Sequence, residues 1–148
     1  MTFSTILCPL DFSAASGPLV RYAATLAAAT GAELRLLHVL ESQPRLPESV
    51  PAEDNHDVEI AQQLARYHAA ATETGVTVTT AIVQGEAAAE IVAEAQRYPA
   101  DVIVIGAHGR TGLTRFLMGS TAEAVVREAT CATLLVKPCA ADAYLKSA

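Results

Sequence analysis

The chain predicts an α/β fold, a parallel sheet with helices on both faces, built as one domain over residues 1–148. Three observations carry that prediction. Short β-branched runs alternate with alanine-rich stretches of helical period along the whole chain. Val102-Ile103-Val104-Ile105 is apolar without alternation, as a strand covered on both faces should be. Glycine or proline marks most boundaries, at Gly31, Gly75, Gly85, Pro99, Gly119 and Pro138. A chain of 148 residues is too short for a second core of useful size.

Thr5-Ile6-Leu7-Cys8-Pro9 reads as the first strand. The first helix covers roughly Ala14 to Thr30, with Leu19, Ala23, Leu26 and Thr30 on one face and Gly31 as a left-handed stop. Ser13 and Ser16 can each cap it, while Gly17-Pro18 disturbs its first turns. Leu34 to Leu40 is the second strand. The second helix runs from about Asp57 to Thr74 through Ile60, Ala61, Leu64 and Ala71, and ends at Gly75. Val76 to Val83 forms the third strand, and Gly85 opens a third helix over Glu86 to Tyr98. Val102 to Ile105 is the fourth strand. A fourth helix follows Gly119 to about Ala129, and Thr133 to Val136 closes the sheet. Residues 41–56, rich in proline and acids, are expected as a flexible loop, and 139–148 as a short tail.

Ten Lys and Arg stand against 16 Asp and Glu, a formal charge of −6. A nucleic-acid polymer and an anionic membrane both recruit clustered cations, so neither is expected as a partner. Leu19 to Ala29, the most apolar stretch, is broken by Arg21 and is too short to span a bilayer. The start of the chain has neither a basic region nor a cleavage site, so a cytoplasmic location is expected. Cys8, Cys131 and Cys139 show no CxxC spacing. They predict reduced thiols rather than a metal site or disulfide framework, with Cys8 simply buried in its strand.

Residues 107–118 fit no regular element. In an open parallel sheet, ligands bind beyond the carboxyl ends of the strands where the strand order reverses. There a glycine turn lets amides reach a phosphate, and the next helix adds partial positive charge. Gly106 leaves a strand end unobstructed, Gly109 permits reversal, and Gly119-Ser120 presents amides and a hydroxyl at a helix mouth. His108, Arg110 and Arg115 supply charge nearby. No Asp or Glu occurs from Phe12 to Ala32 or from Val102 to Ala122, so the phosphate end is locally neutral to basic. Ser120-Thr121-Ala122-Glu123 is also a capping box, which would account for the serine without any ligand.

Gly106, Gly109, Gly119 and Ser120 together form G-x-x-G, nine residues, then G-S. With this motif the chain resembles the ATP-binding branch of the universal stress protein family. Pro9-Leu10-Asp11-Phe12-Ser13 resembles the family's opening P-x-D-x-S, and Cys131 to Val136 its closing strand. The resemblance covers nearly the whole chain. It implies a three-layer sandwich, adenine nucleotide α-hydrolase-like, with strand order 3-2-1-4-5, which puts strands 1 and 4 side by side.

For the site, the resemblance implies that Pro9, Leu10 and Asp11 meet the nucleoside, with Asp11 on the ribose hydroxyls. The backbone near Val39 holds the adenine edge, and Ile105 and Gly106 line the nucleotide. His108, Gly109, Arg110, Gly119, Ser120 and Thr121 face the phosphates. Asp11 also lies close enough to the first helix to be a cap and nothing more. His38 reads as a satisfied half-buried histidine, and His56 and His68 as solvent-facing. Met118 and Phe116 are expected to pack under the loop. Ala107 stands where the family often has Ser or Thr, and Gly17-Pro18 where it has helix formers.

The implied ligand is ATP with its Mg²⁺, or ADP or AMP. The implied role is a dimeric sensor or adaptor in a stress response, read by a further protein. The alternatives are a slow ATPase or phosphotransferase, and a dimeric scaffold that binds nothing. The enzyme reading lacks parts: no lysine follows Gly119 as in a P-loop, and no second carboxylate pairs with Asp11. No catalytic or metal-ligating residue is therefore assigned. The closing strand, Thr133–Val136, should be a sheet edge, and the resemblance implies a homodimer through it.

Overall fold

The structure is a computed structural model and describes residues 2–41, 53–107 and 118–137. Five parallel strands form one sheet: β1 (Thr5–Pro9), β2 (Glu33–Leu40), β3 (Val78–Gln84), β4 (Val102–Gly106) and β5 (Ala132–Val136). Their order is β3-β2-β1-β4-β5, as the resemblance implied. Among the described residues the helices are α1 (Ser16–Thr30), α2 (Glu53–Thr72), α3 (Ala87–Arg97) and α4 (Ser120–Glu128).

The period-two pleat divides the core into two layers. Ile6, Cys8, Leu34, Leu36, Val102 and Val104 face α1 and α2, where Leu19, Ala23, Ala27 and Leu64 meet them. Leu7, Leu37, Ile103 and Ile105 face α3 and α4, against Ile91, Ala95, Ala122 and Val125. The central strands are covered on both sides, which is why β4 reads as unbroken apolar sequence. Cys8 is fully buried in this core, and burial pushes its thiol far above the ordinary range. Among the described residues no helix is long and apolar enough to cross a membrane.

Several boundaries move for identifiable reasons. α1 begins at Ser16, not Ala14, with Ala15 at its N-cap and no side-chain cap, so neither Ser13 nor Ser16 plays that part. Gly17-Pro18 sits inside the first turn without breaking it. A first-turn residue has no intrahelical N–H bond to lose, so Pro18 is tolerated there. Gly31 ends α1 at φ +75, as expected. α2 starts at Glu53, earlier than Asp57, so the stretch expected as a loop over 41–56 gives its last residues to a helix. His68 departs from its expected exposure. It is half-buried, and its Nε2–H donates to the Val78 carbonyl at 3.1 Å. That carbonyl points away from β2, since the preceding one, of Thr77, accepts the Leu34 amide.

The amino end of the sheet is fastened by charge. Asp101 Oδ2 accepts the Ser4 and Thr5 amides at 2.6 and 3.0 Å, tying the start of β1 to the start of β4. Glu94 on α3 is 1% exposed and accepts from Arg97 Nη1 at 2.7 Å and from Arg35 Nη2 at 3.5 Å. Arg35 also donates through Nη1 to Thr79 Oγ1, and its guanidinium lies 3.8 Å over the Tyr98 ring.

Candidate functional site

The strand order reverses between β1 and β4. Ile6 pairs with Val102 and Leu7 with Ile103. Carried forward, that register sets Pro9 beside Ile105 and Leu10 beside Gly106 at the carboxyl ends. Pro9 and Leu10 are buried there, Ile105 is buried, and Gly106 is half-buried opposite Val136 of β5. Val39 lies at the same end on β2, half-buried and paired with Val83.

Beyond β4 the chain is pinned twice. The Ala107 amide donates to the Val136 carbonyl at 3.0 Å, and the Gly119 amide donates to the Ala107 carbonyl at 2.7 Å. The mouth of α4 is thereby held over the end of β4. Gly119 is the N-cap, at φ −61 and ψ 151, which any residue adopts. Its glycine is therefore not needed for backbone conformation, and what it contributes is the missing Cβ. Gly119 offers α4 no capping side chain, and the expected capping box does not form: Ser120 is already helical, so its hydroxyl is not in the N-cap position. Ser120 is exposed and Thr121 half-buried at the positive end of the helix dipole. Met118 packs against the core on the α3 and α4 side, while the loop it was expected to pack under lies outside the described residues. His108, Gly109, Arg110 and Phe116 lie outside the described residues.

Asp11 lies two residues beyond the end of β1. Its Oδ1 accepts the Ser13 amide at 2.9 Å and the Ser16 hydroxyl at 3.3 Å. The first is an Asx turn, four residues short of the N-cap position at Ala15, so Asp11 is not the cap of α1. Sequence reasoning missed what stands next to it. Phe12 adopts φ 60, and its ring stacks on His38 with centroids 4.1 Å apart and lies parallel to Tyr67 at 6.0 Å. His38 is buried, and its Nδ1 bonds the Leu10 carbonyl at 2.8 Å. A carbonyl only accepts, so Nδ1 carries the proton. The Asp-x-Ser spacing could have signalled the turn, but nothing in the sequence signals a left-handed phenylalanine. Two surface grooves lie away from this end, one along the outside of α1 at Tyr22 and one between α2 and β3 at Ile82.

The assembled end has a helix mouth with glycine at its N-cap, an anchored carboxylate and two strand termini at a reversal point, which is an arrangement suited to a small anionic ligand. The comparisons with known proteins agree with that architecture. Residues 2–137 match the family model described as the universal stress protein family. A universal stress protein of Methanocaldococcus jannaschii is 34% identical over 142 residues, covering 91% of this chain and 82% of that relative. The solved universal stress protein UspA from Lactobacillus plantarum has a TM-score of 0.76 at 28% identity, over 92% of this chain and 99% of that one. A universal stress protein solved in complex with cAMP has a TM-score of 0.73 at 25% identity, over 92% and 98% of the two chains. With the family model spanning nearly the whole chain and a relative 34% identical over 91% of it, this chain belongs to the universal stress protein family.

Proposed function

We propose that the chain binds an adenine nucleotide, ATP with its Mg²⁺, across the carboxyl ends of β1 and β4. In this reading it acts in the cytoplasm as a dimeric stress-response sensor whose loaded state a further protein reads. The observation that carries the reading is the mouth of α4, held over the end of β4 by the 2.7 Å bond from Gly119 to Ala107, with a glycine and so no capping side chain at its N-cap. Phosphate oxygens accept the amides of Ser120 and Thr121, next to Gly119, whose own amide is bound to Ala107, and His108, Gly109 and Arg110 are the further phosphate contacts of this reading. Asp11 accepts the ribose hydroxyls from the end of β1, beside Pro9 and Leu10. Ile105 and Gly106 line the nucleotide, and the Val39 backbone meets the adenine edge. The cAMP-bound relative supports an adenine nucleotide as the ligand class.

Dimerisation uses β5. Among the described residues no strand pairs with its outer edge, and Ala132 is exposed while Thr133–Val136 are half-buried. A second copy supplies the missing partner, and light scattering at micromolar protein is expected to give twice the chain mass.

The deciding experiment is to denature the purified protein and identify released nucleotide by chromatography and mass spectrometry, alongside thermal unfolding with added ATP. A micromolar site in millimolar ATP stabilises the fold by about 4 kcal/mol. Absence of both released nucleotide and thermal shift, with ATP and with cAMP, overturns the reading.

A further inference from the structure

Phe12 is the one residue other than glycine with positive φ among the described residues. A side chain bearing a Cβ is disfavoured in that region, so something must hold it there. Two sets of contacts do. On the backbone side, the Asp11 carboxylate closes an Asx turn onto the Ser13 amide and takes the Ser16 hydroxyl. On the ring side, Phe12 stacks on His38 of β2 and lies parallel to Tyr67 of α2.

The same imidazole reaches both neighbours of Asp11. His38 Nδ1–H donates to the carbonyl of Leu10, and the ring face carries Phe12. Leu10 is fixed in turn through its amide, which donates to the Leu37 carbonyl at 2.7 Å. Residues 10 and 12 are thus docked on one side chain, and the residue between them has little freedom to turn its carboxylate. Strain of this kind, over-determined by its surroundings, is a mark of preorganised sites.

We propose that Phe12 and His38 are positioning residues for nucleoside recognition: by gripping residues 10 and 12 on one imidazole, they fix the Asp11 carboxylate toward the ribose. The proposal rests on the nucleotide reading above and adds to it the device that aims Asp11. Its chemistry is specific. The pair acts on the nucleoside half of the ligand and leaves the phosphate half alone.

The test compares ATP with inorganic tripolyphosphate by calorimetric titration. Phe12→Ala removes the ring but keeps the strain, so ATP binding weakens about tenfold while tripolyphosphate stays within about twofold. His38→Ala releases both grips and matches it. Phe12→Gly admits the left-handed backbone without penalty and recovers most of the loss, to within about threefold of wild type. In an Asp11→Ala background, Phe12→Ala costs nothing further, because the residue it aims is gone.

A lower melting temperature with unchanged ATP affinity overturns the proposal, leaving only a structural role for the ring. Equal losses for ATP and tripolyphosphate, a Phe12→Gly variant weaker than Phe12→Ala, or additive losses with Asp11→Ala overturn it too. The wild type and Asp11→Ala serve as the control on the underlying reading. If they bind ATP equally, the ribose role of Asp11 fails and the positioning role falls with it. If they differ and Phe12→Ala does not, only the positioning role fails.

Discussion

At the amino end of the sheet Asp101 accepts two backbone amides, of Ser4 and Thr5, from a strand nearly a hundred residues away in sequence. At the carboxyl end Asp11 accepts the Ser13 amide and the Ser16 hydroxyl from its own turn. The same side-chain chemistry serves two purposes. Long-range bonds brace β1 against β4 and leave the backbone relaxed. Short-range bonds bend the chain, and beside them Phe12 is forced to φ 60. The amino end therefore carries stability, and the carboxyl end gives some up to hold a geometry.

The sharpest way to break that division is at Glu94, which lies with Arg35 and Arg97 toward the amino end. Glu94→Ala leaves the Arg35 guanidinium, whose Nε has no partner among the described residues, as a largely buried and uncompensated charge. The expected loss is about 3 kcal/mol in urea unfolding, with ATP affinity of the folded variant unchanged. Arg97 adds little to that figure, being half exposed and screened by solvent. A folded Glu94→Ala variant that binds ATP poorly would join the two ends into one unit.

Asp101→Ala is the next largest effect, about 1 kcal/mol, because the lost bonds lie near solvent. The Thr5 amide, and then the Ser4 amide, hold the Asp101 carboxyl below its ordinary value of 3.8. A group with a depressed folded value stabilises the fold above its unfolded value and loses that contribution as pH falls through the folded one. The stability gap between wild type and Asp101→Ala is thus full at neutral pH and closes in acid. Unfolding free energies measured along a pH series check it, and a gap that persists undiminished in strong acid assigns the effect to something other than the carboxylate. Asp11→Ala sits at the small end of the stability scale, about 0.5 kcal/mol, because its bonds to Ser13 and Ser16 are local and only part-buried. Its effect appears in ATP binding instead, so the two aspartates should exchange rank when the readout changes from melting to affinity.

Legibility in the sequence followed the same division. The order of strands and helices could be read from periodicity, since each of the nine elements carries its own local pattern. The 3-2-1-4-5 order could not, and came from the resemblance carried by the glycine spacing and the Asp11 segment. α2 ran back to Glu53 because acids favour a helix's first turn, although the nearby prolines suggested loop. Ser120 looked like a cap because of Glu123, yet Gly119 took that position once its amide was bound to Ala107. The Arg35–Glu94 pair and the Phe12–His38 stack were invisible, since each joins residues far apart in sequence.

The bond from His68 to the Val78 carbonyl bears on how copies of this chain can assemble. A flat sheet with two bare margins can add neighbours indefinitely, which is the route to fibrils. Here a strand arriving beside β3 would find its first acceptor occupied by an imidazole and α2 standing over it. Growth from that margin is discouraged at the outset. That leaves the β5 edge as the side on which the proposed pairing of two copies would form a closed pair.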